Sequence, residues 1–323
     1  MDANRQTDKR GPSRRAFLGA AAATAATVAA ARVGIARQNG VRGGAGFRFV
    51  HLADLHIQPE LGAARGVREC LDAVHALKPR PDFILTGGDL VMDLLAVDVA
   101  RARVQFDLLD KVTRDSEIPF RHCVGNHDVF GWSPNAKVGS DHADYGKKMV
   151  RDRLGLERTT YSFDHKGWHF CVVDDIRHKA GPSYEGGFSK ADLEWLGKDL
   201  DAAGTRPKLL CTHIPIVSVA PFRGADATDK DQISVSKDMI CRNPGPILKV
   251  LRERNVGVVL TGHLHQNETL RYERTTHIGQ GAVCGNWWKG PHIGNPEGFG
   301  VLDLQPDGTF DHRYHTYGWT ARA

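Results

Sequence analysis

Five short apolar runs, FRFVHLA, DFILTGG, FRHCV, KLLCTH and VGVVLTG, each give way abruptly to glycine, aspartate, asparagine or histidine. Runs of this length that alternate with helix-period stretches read as buried strands of layered α/β structure. A strand that ends in this way delivers polar side chains to one edge of its sheet. In α/β proteins the carboxyl ends of the strands are where sites are built. The pattern therefore constrains the architecture and the position of the chemistry together.

The intervening segments fit that frame. Residues Gly62 to Leu77, Leu94 to Val112 and Ser189 to about Ala203 carry helical periodicity. TYSFDHKGWHFCVVDD reads as a hairpin turning near Lys166 and Gly167, and DLQPDGTFDHRYH as a second one through Asp307 and Gly308. Ile214 to Pro246 is long, polar and irregular between two apolar strands, a length that marks a functional loop, here expected to face substrate.

The amino terminus reads as an address rather than as part of the fold. Basic residues run from Arg5 to Arg15, and Ala16 to Ala31 is alanine-rich and uncharged. SRRAFLG, with Arg14 and Arg15 ahead of Phe17 and Leu18, resembles the twin-arginine export signal of bacteria. The uncharged run is shorter than the roughly 20 residues a bilayer-spanning helix needs, so no stable transmembrane segment is expected after processing. Residues 1–46 are expected to be a signal and linker, with cleavage after Ala31 or Ala36, and 47–323 a single domain. The export machinery is then a partner, and the location is periplasmic or secreted.

Setting that segment aside changes the charge argument. The full chain carries +5, but residues 1–46 hold eight of its 43 Lys/Arg and two of its 38 Asp/Glu, which leaves 35 basic and 36 acidic side chains. No basic excess remains to hold a nucleic-acid backbone, so nucleic acid is not an expected partner. With 41% apolar and 25% charged residues the chain is globular, not disordered. Cys70, Cys123, Cys171, Cys211, Cys241 and Cys284 are widely spread without a CxxC pair, which excludes a zinc ribbon or thioredoxin-type site and assigns no disulfide.

The side chains at the strand ends are metal donors. Asp54 and His56 follow the first run, and their spacing of two in an extended chain would turn both to one side. Asp89 follows the second run, Asn126 and His127 lie in GNHD after the third, His213 closes the fourth, and His263 and His265 lie in GHLH after the fifth. Carboxylate and amide oxygens suit hard cations and imidazole suits Zn, Fe and Mn, so this mixed set is what a hydrolytic two-metal centre requires. His75, His122, His165, His169 and His178 lie outside the set and are assigned no role.

The ordered series DxH, GGD, GNHD, TH and GHxH resembles the calcineurin-like metallophosphoesterase superfamily, over about Phe47 to Tyr317. The resemblance implies a four-layer α/β/β/α sandwich with two mixed β-sheets. It implies that Asp54, His56, Asp89 and His265 hold one metal ion and Asp89, Asn126, His213 and His263 the other, with Asp89 bridging. The ions are divalent or trivalent, Fe, Mn or Zn. It further implies that His127 contacts the phosphate and protonates the leaving group, with Asp128 orienting it and Asn126 near the substrate. Two cations about 3.5–4 Å apart bind a hydroxide for in-line attack on phosphorus. Met92 stands where purple acid phosphatases carry a tyrosine, so the pattern is closer to the branch containing cyclic-nucleotide phosphodiesterases.

The expected function is a metal-dependent phosphodiesterase or phosphomonoesterase acting on a small-molecule phosphate ester outside the cytoplasm. Trp287, Trp288 and Lys289 in GAVCGNWWKG are candidate substrate contacts, an aromatic face beside a cation, with core packing as the alternative. A noncatalytic metal-binding scaffold and a secreted nuclease are the alternative functions. The first is disfavoured by the complete donor set and the second by the near-neutral charge.

Overall fold

Strand β1 (Phe47–Leu52) is buried along its whole length, and its side chains sort by parity. Phe47 and Phe49 enter one apolar cluster, Val50 and Leu52 another. A strand with two dry faces sits in the middle of a layered structure, with a second sheet on one side and helices on the other. The computed structural model describes residues 46–179, 183–224 and 238–321. The expected export segment lies outside these residues apart from Gly46, as does the centre of the 214–246 loop.

Along the chain β1 is followed by α1 (Ala63–Ala76), β2 (Ile84–Gly87), α2 (Val99–Thr113), β3 (Phe120–Cys123) and α3 (Lys148–Leu154). The second half contributes β4 (Tyr161–His165), β5 (Trp168–Val172), β6 (Ile176–Lys179), β7 (Ser183–Gly186), α4 (Lys190–Ala202) and β8 (Lys208–Cys211). It continues with α5 (Pro244–Glu253), β9 (Val258–Thr261), β10 (Glu268–Tyr272), β11 (Thr275–Gly279), β12 (Gly298–Leu304) and β13 (Phe310–Thr316).

The strands form two mixed sheets and a separate ribbon. One sheet runs β13-β12-β1-β2-β3, with β1, β2 and β3 parallel and β12 antiparallel to β1 and β13. The other runs β10-β11-β9-β8-β5-β4, parallel from β11 to β5 and antiparallel at both edges. Phe49, Leu85, Phe170, Leu209 and Leu260 share one cluster, so the sheets face each other across it. The opposite face of the first sheet packs against α1 and α2 through Val50, Leu52, Val67 and Phe106. The opposite face of the second packs against α4 and α5 through Leu210, Val259, Leu196 and Ile247. This is the four-layer α/β/β/α sandwich.

The helices form for local reasons. In α1 the buried residues Ala63, Gly66, Val67, Cys70, Leu71 and Val74 repeat at three and four, the stripe of an amphipathic helix. α4 opens with a reciprocal capping box between Ser189 and Asp192, which satisfies two otherwise unpaired N–H groups. α2 starts later than its periodicity predicts, at Val99, because Leu94 is used elsewhere. Its N–H donates to His127 O at 2.8 Å, and Asp98 caps the helix through Arg101 N. The β4–β5 turn has positive φ at both Lys166 (43°) and Gly167 (87°), the backbone a two-residue hairpin demands.

Helix α1 is held against the loop carrying GNWW. A Cβ added at Gly66 would lie 2.1 Å from the buried ring of Trp288. Alanine ordinarily favours a helix interior over glycine, but here the ring has no room to yield. Gly66→Ala is therefore expected to lower unfolding stability by about 1–3 kcal/mol, read as a drop in the urea midpoint at unchanged slope.

Candidate metal centre

The polar side chains do not reach the site by strand alternation. Asp54, His56, Asp89, His263 and His265 all have positive φ, between 42° and 71°, so each lies in the left-handed region just beyond its strand. Asp54 and His56 are thus turned inward by tight backbone reversals, which corrects the extended reading of that segment. Left-handed backbone is uncommon for residues with a Cβ and persists where surrounding contacts over-determine it. Those contacts are lateral hydrogen bonds between loops. Asp54 N donates to Gly88 O (3.0 Å), His56 N to Asp89 O (2.9 Å) and Gly262 N to His213 O (3.0 Å). Gly125 has no substitute, since a Cβ there would stand 2.1 Å from Asp89 Oδ1.

The seven expected donors meet in two clusters that share Asp89. Asp89 Oδ2 lies 3.5 Å from His56 Nε2 and 3.2 Å from His213 Nε2. On the first side, His56 Nε2 is 3.1 Å from His265 Nε2, which is 3.5 Å from Asp54 Oδ1. On the second, His213 Nε2 is 3.0 Å from Asn126 Oδ1, and donor atoms of Asp89, His213 and His263 lie within 4.8 Å of one another. All of these side chains are buried except that of His263, which is half-buried.

Hydrogen-bond partners fix which imidazole nitrogen faces inward. His213 Nδ1 donates to Gly87 O at 2.7 Å, and His265 Nδ1 to Gly285 O at 2.7 Å. His263 Nε2 donates to Asp238 O at 2.9 Å. In their neutral forms His213 and His265 therefore turn an Nε2 lone pair into the site, and His263 is left with Nδ1. The remaining nitrogen of a metal-ligating histidine usually makes such a bond. At His213 three lone pairs, from Nε2, Asp89 Oδ2 and Asn126 Oδ1, converge with only a proton or a cation able to reconcile them. Asn126 Nδ2 has no hydrogen-bond partner, consistent with an amide placed for its oxygen. The donor set fits a cation on each side of Asp89.

The titration behaviour reflects the same crowding. Burial works against an ionised Asp89, yet His213 and His127 hold its carboxyl well below the usual range. Burial likewise opposes the charged form of His213, and Asp89 overrides it, raising the imidazole to about 10. His56 is pushed down to about 3 and His263 to about 4, chiefly by burial. Two imidazoles held neutral beside the ionised Asp89 are set up to donate lone pairs.

The other expected site residues separate. His127 borders the first cluster, its ring 4.8 Å from that of His56 and 28% exposed, while its N–H donates to Asp89 Oδ1 at 2.8 Å. Asp128 does not orient it. Its carboxylate accepts from Leu90 N and Gly125 N at 2.8 Å and from Val91 N at 3.2 Å, stapling the GNHD loop to the GGDL loop. Burial and the neighbouring Asp89 push that carboxyl up to about 7, against the donors that favour its ionised form. The carboxylate facing His127 is instead Asp93, whose Oδ1 is 4.0 Å from Nδ1.

Trp287 caps the first cluster, its ring 4.7 Å from His265 and 6.0 Å from His56. Trp288 is turned into the core. It is buried, packs edge-on against Trp319 at 5.2 Å, and donates from Nε1 to His56 O at 3.0 Å. Of the two tryptophans expected as contacts, Trp288 is thus core and a support for the His56 backbone. Lys289 is exposed, and residues 283–288 before it form turns. The sequence reading missed Asp93, Tyr184, whose ring is 6.2 Å from His263, and Asp175, which accepts from His213 N at 3.2 Å and Ile214 N at 2.9 Å. The signal for Asp175 was present, because VVDD ends a buried strand on acid just as the ligand-bearing runs do.

The architecture and the shared carboxylate define a class. The calcineurin-like phosphoesterase family model matches residues 47–267. The chain belongs to that family. A "probable cyclic nucleotide phosphodiesterase" of Rhodococcus erythropolis is 25% identical over 69% of this chain and 66% of its own length. A protein of the same description from Psychrobacter arcticus is 25% identical over 64% of each chain. The chain thus spans slightly less than two thirds of either relative. A solved putative 5'-nucleotidase of Staphylococcus aureus shares the fold, with a TM-score of 0.51 and 13% identity over 84% of this chain and 53% of that one.

The stapling role of Asp128 is separable from the donor set. Asp128→Asn would turn an amide donor toward a backbone N–H and is expected to cost about 1–3 kcal/mol of stability. Asp93→Asn, which keeps the acceptor for Leu95 N, is expected to stay within about 0.5 kcal/mol of wild type. Equal losses in chemical denaturation of the two variants would refute this division.

Proposed function

We propose that this chain hydrolyses phosphate esters of small molecules, with diesters or monoesters as substrates, in a compartment outside the cytoplasm. The observation that carries the reading is the position of Asp89 Oδ2, within 3.5 Å of an inward-facing imidazole nitrogen on each side. Asp54, His56 and His265 would hold one divalent or trivalent ion, Fe, Mn or Zn, and Asn126, His213 and His263 the other. Ions bound there supply Lewis-acid polarisation of the phosphoryl group and activation of water. The protein's own part is positioning and proton transfer. His127, partly exposed beside the first cluster, contacts the phosphoryl group and protonates the departing oxygen. Asp93 Oδ1 faces the imidazole from its Nδ1 side at 4.0 Å, beyond hydrogen-bond distance. The complete donor set supports turnover over a purely binding role, and the phosphodiesterase descriptions of the relatives point the same way.

The hydrolase reading is tested with purified protein supplied with Mn or Fe and offered a chromogenic phosphodiester, a phosphomonoester and a cyclic nucleotide. Turnover of at least one is expected, with His127→Ala lowering kcat about 10²–10³-fold at unchanged metal content. Inactivity toward all three sinks the proposal.

Residues 1–46 are proposed to direct twin-arginine export, leaving 47–323 as the mature domain. That route carries folded proteins, so the metal centre would be filled in the cytoplasm. Replacing Arg14 and Arg15 by Lys is expected to retain the protein inside the cell. Undiminished periplasmic or secreted protein in cell fractionation would rule this out.

A further inference from the structure

The β6–β7 ribbon belongs to neither sheet, and its register pairs His178 with Tyr184. Directly paired residues of an antiparallel ribbon project to the same face. The Tyr184 ring lies edge-on to His263, a donor of the second cluster, at 6.2 Å. It also packs with Leu95 and Trp132 on a small apolar knot of Val129, Ile176 and Ile214. The His178 ring lies 4.7 Å from that of Trp132. One face of the ribbon therefore leads from the candidate metal centre to an aromatic wall.

That wall borders a solvent-open, shallow cavity of about 370 Å³ whose lining includes Trp132, Tyr145, His178, Pro134 and Val138. Its volume lies in the range of small-molecule pockets. Its lining residue Gly131 is also tied through Leu94 to the backbone of His127. Leu94 N donates to His127 O at 2.8 Å and Leu94 O accepts from Gly131 N at 3.1 Å. A single residue spans the gap, which places Gly131 N within about 10 Å of His127 O. The wall is braced from behind, since Lys147, bonded to Asp174 and to Ile176 O, sits 5.7 Å from the Trp132 ring. A ring fixed in this way offers a preformed stacking surface with little ordering cost on binding.

We propose that the Trp132–Tyr145–His178 cavity receives a planar aromatic group carried on the organic part of the phosphate ester, while the phosphate sits beside Asp89 and His127. The inference rests on the phosphoesterase reading for the identity of the second group, and on the wall alone for the first. Aromatic stacking of this kind tolerates many ring types, so selection is for planarity rather than for a hydrogen-bond pattern.

The test compares adenosine 5'-monophosphate with ribose 5-phosphate, which carries an anomeric hydroxyl in place of the aromatic ring, by calorimetric titration of the full chain with and without added Mn. The nucleotide is expected to bind about tenfold more tightly, and Trp132→Ala and His178→Ala are each expected to shrink the preference to less than about twofold. His178 is exposed, so its variant reports even if loss of Trp132 disturbs the apolar knot. Equal affinity of wild type for the two compounds, or a preference that survives both substitutions, overturns the proposal. A preference that depends on Trp132 and His178 in a protein that hydrolyses no phosphate ester upholds the cavity and overturns the hydrolase reading instead.

Discussion

A single buried carboxylate organises this molecule. Asp89 lies between His56 and His213 with one oxygen turned to both, while its other oxygen accepts the His127 N–H. An ionised group with 1% exposure is tolerable only where opposite charge and donors surround it. The loops that follow β1, β3, β8 and β9 supply the surrounding side chains. Left-handed backbone at five donor residues, and the missing Cβ of Gly125, are local costs of bringing so many polar groups to one point.

Much of this was legible in the sequence because the information is local. Strand β1 followed by Asp54 and His56, or β9 followed by His263 and His265, is a contiguous string whose burial and polarity change together. Two sheets face to face with helices outside were implied by the family resemblance, and the parity of burial within β1, β5, β8 and β9 shows that arrangement in the structure. The order of motifs named seven expected donors, and the structure gathers the other six around Asp89.

What was not legible depended on direction rather than on type. Asp128 and Asp93 are both acids near His127 in space, and the sequence favours the adjacent one. Adjacent side chains in a tight turn diverge, so Asp128 points into three backbone N–H groups while Asp93, from another loop, faces the imidazole. Trp287 and Trp288 divide for the same reason. Consecutive positive φ values of 48° and 68° send one ring over His265 and the other into the core beside Gly66. No periodicity argument distinguishes neighbours whose backbone is neither helix nor strand.

The supports around the centre are backbone groups and buried acids, and this bears on how the site behaves before any cation arrives. His213 is held by Gly87 O through its ring and by Asp175 through its N–H, and Asp54 accepts from His263 N at 3.0 Å. Asp128 ties the two loops that carry Asp89 and Asn126. Apart from Asp54, whose Oδ1 also faces His265 Nε2 at 3.5 Å, these supports engage atoms turned away from the shared centre, so the donors are positioned largely by the fold itself. A site arranged in that way would gain cation affinity by avoiding reorganisation, and under the proposed function it would keep the geometry around Asp89 that a phosphoryl group meets. The braced ring of Trp132 follows the same logic at greater distance from the centre.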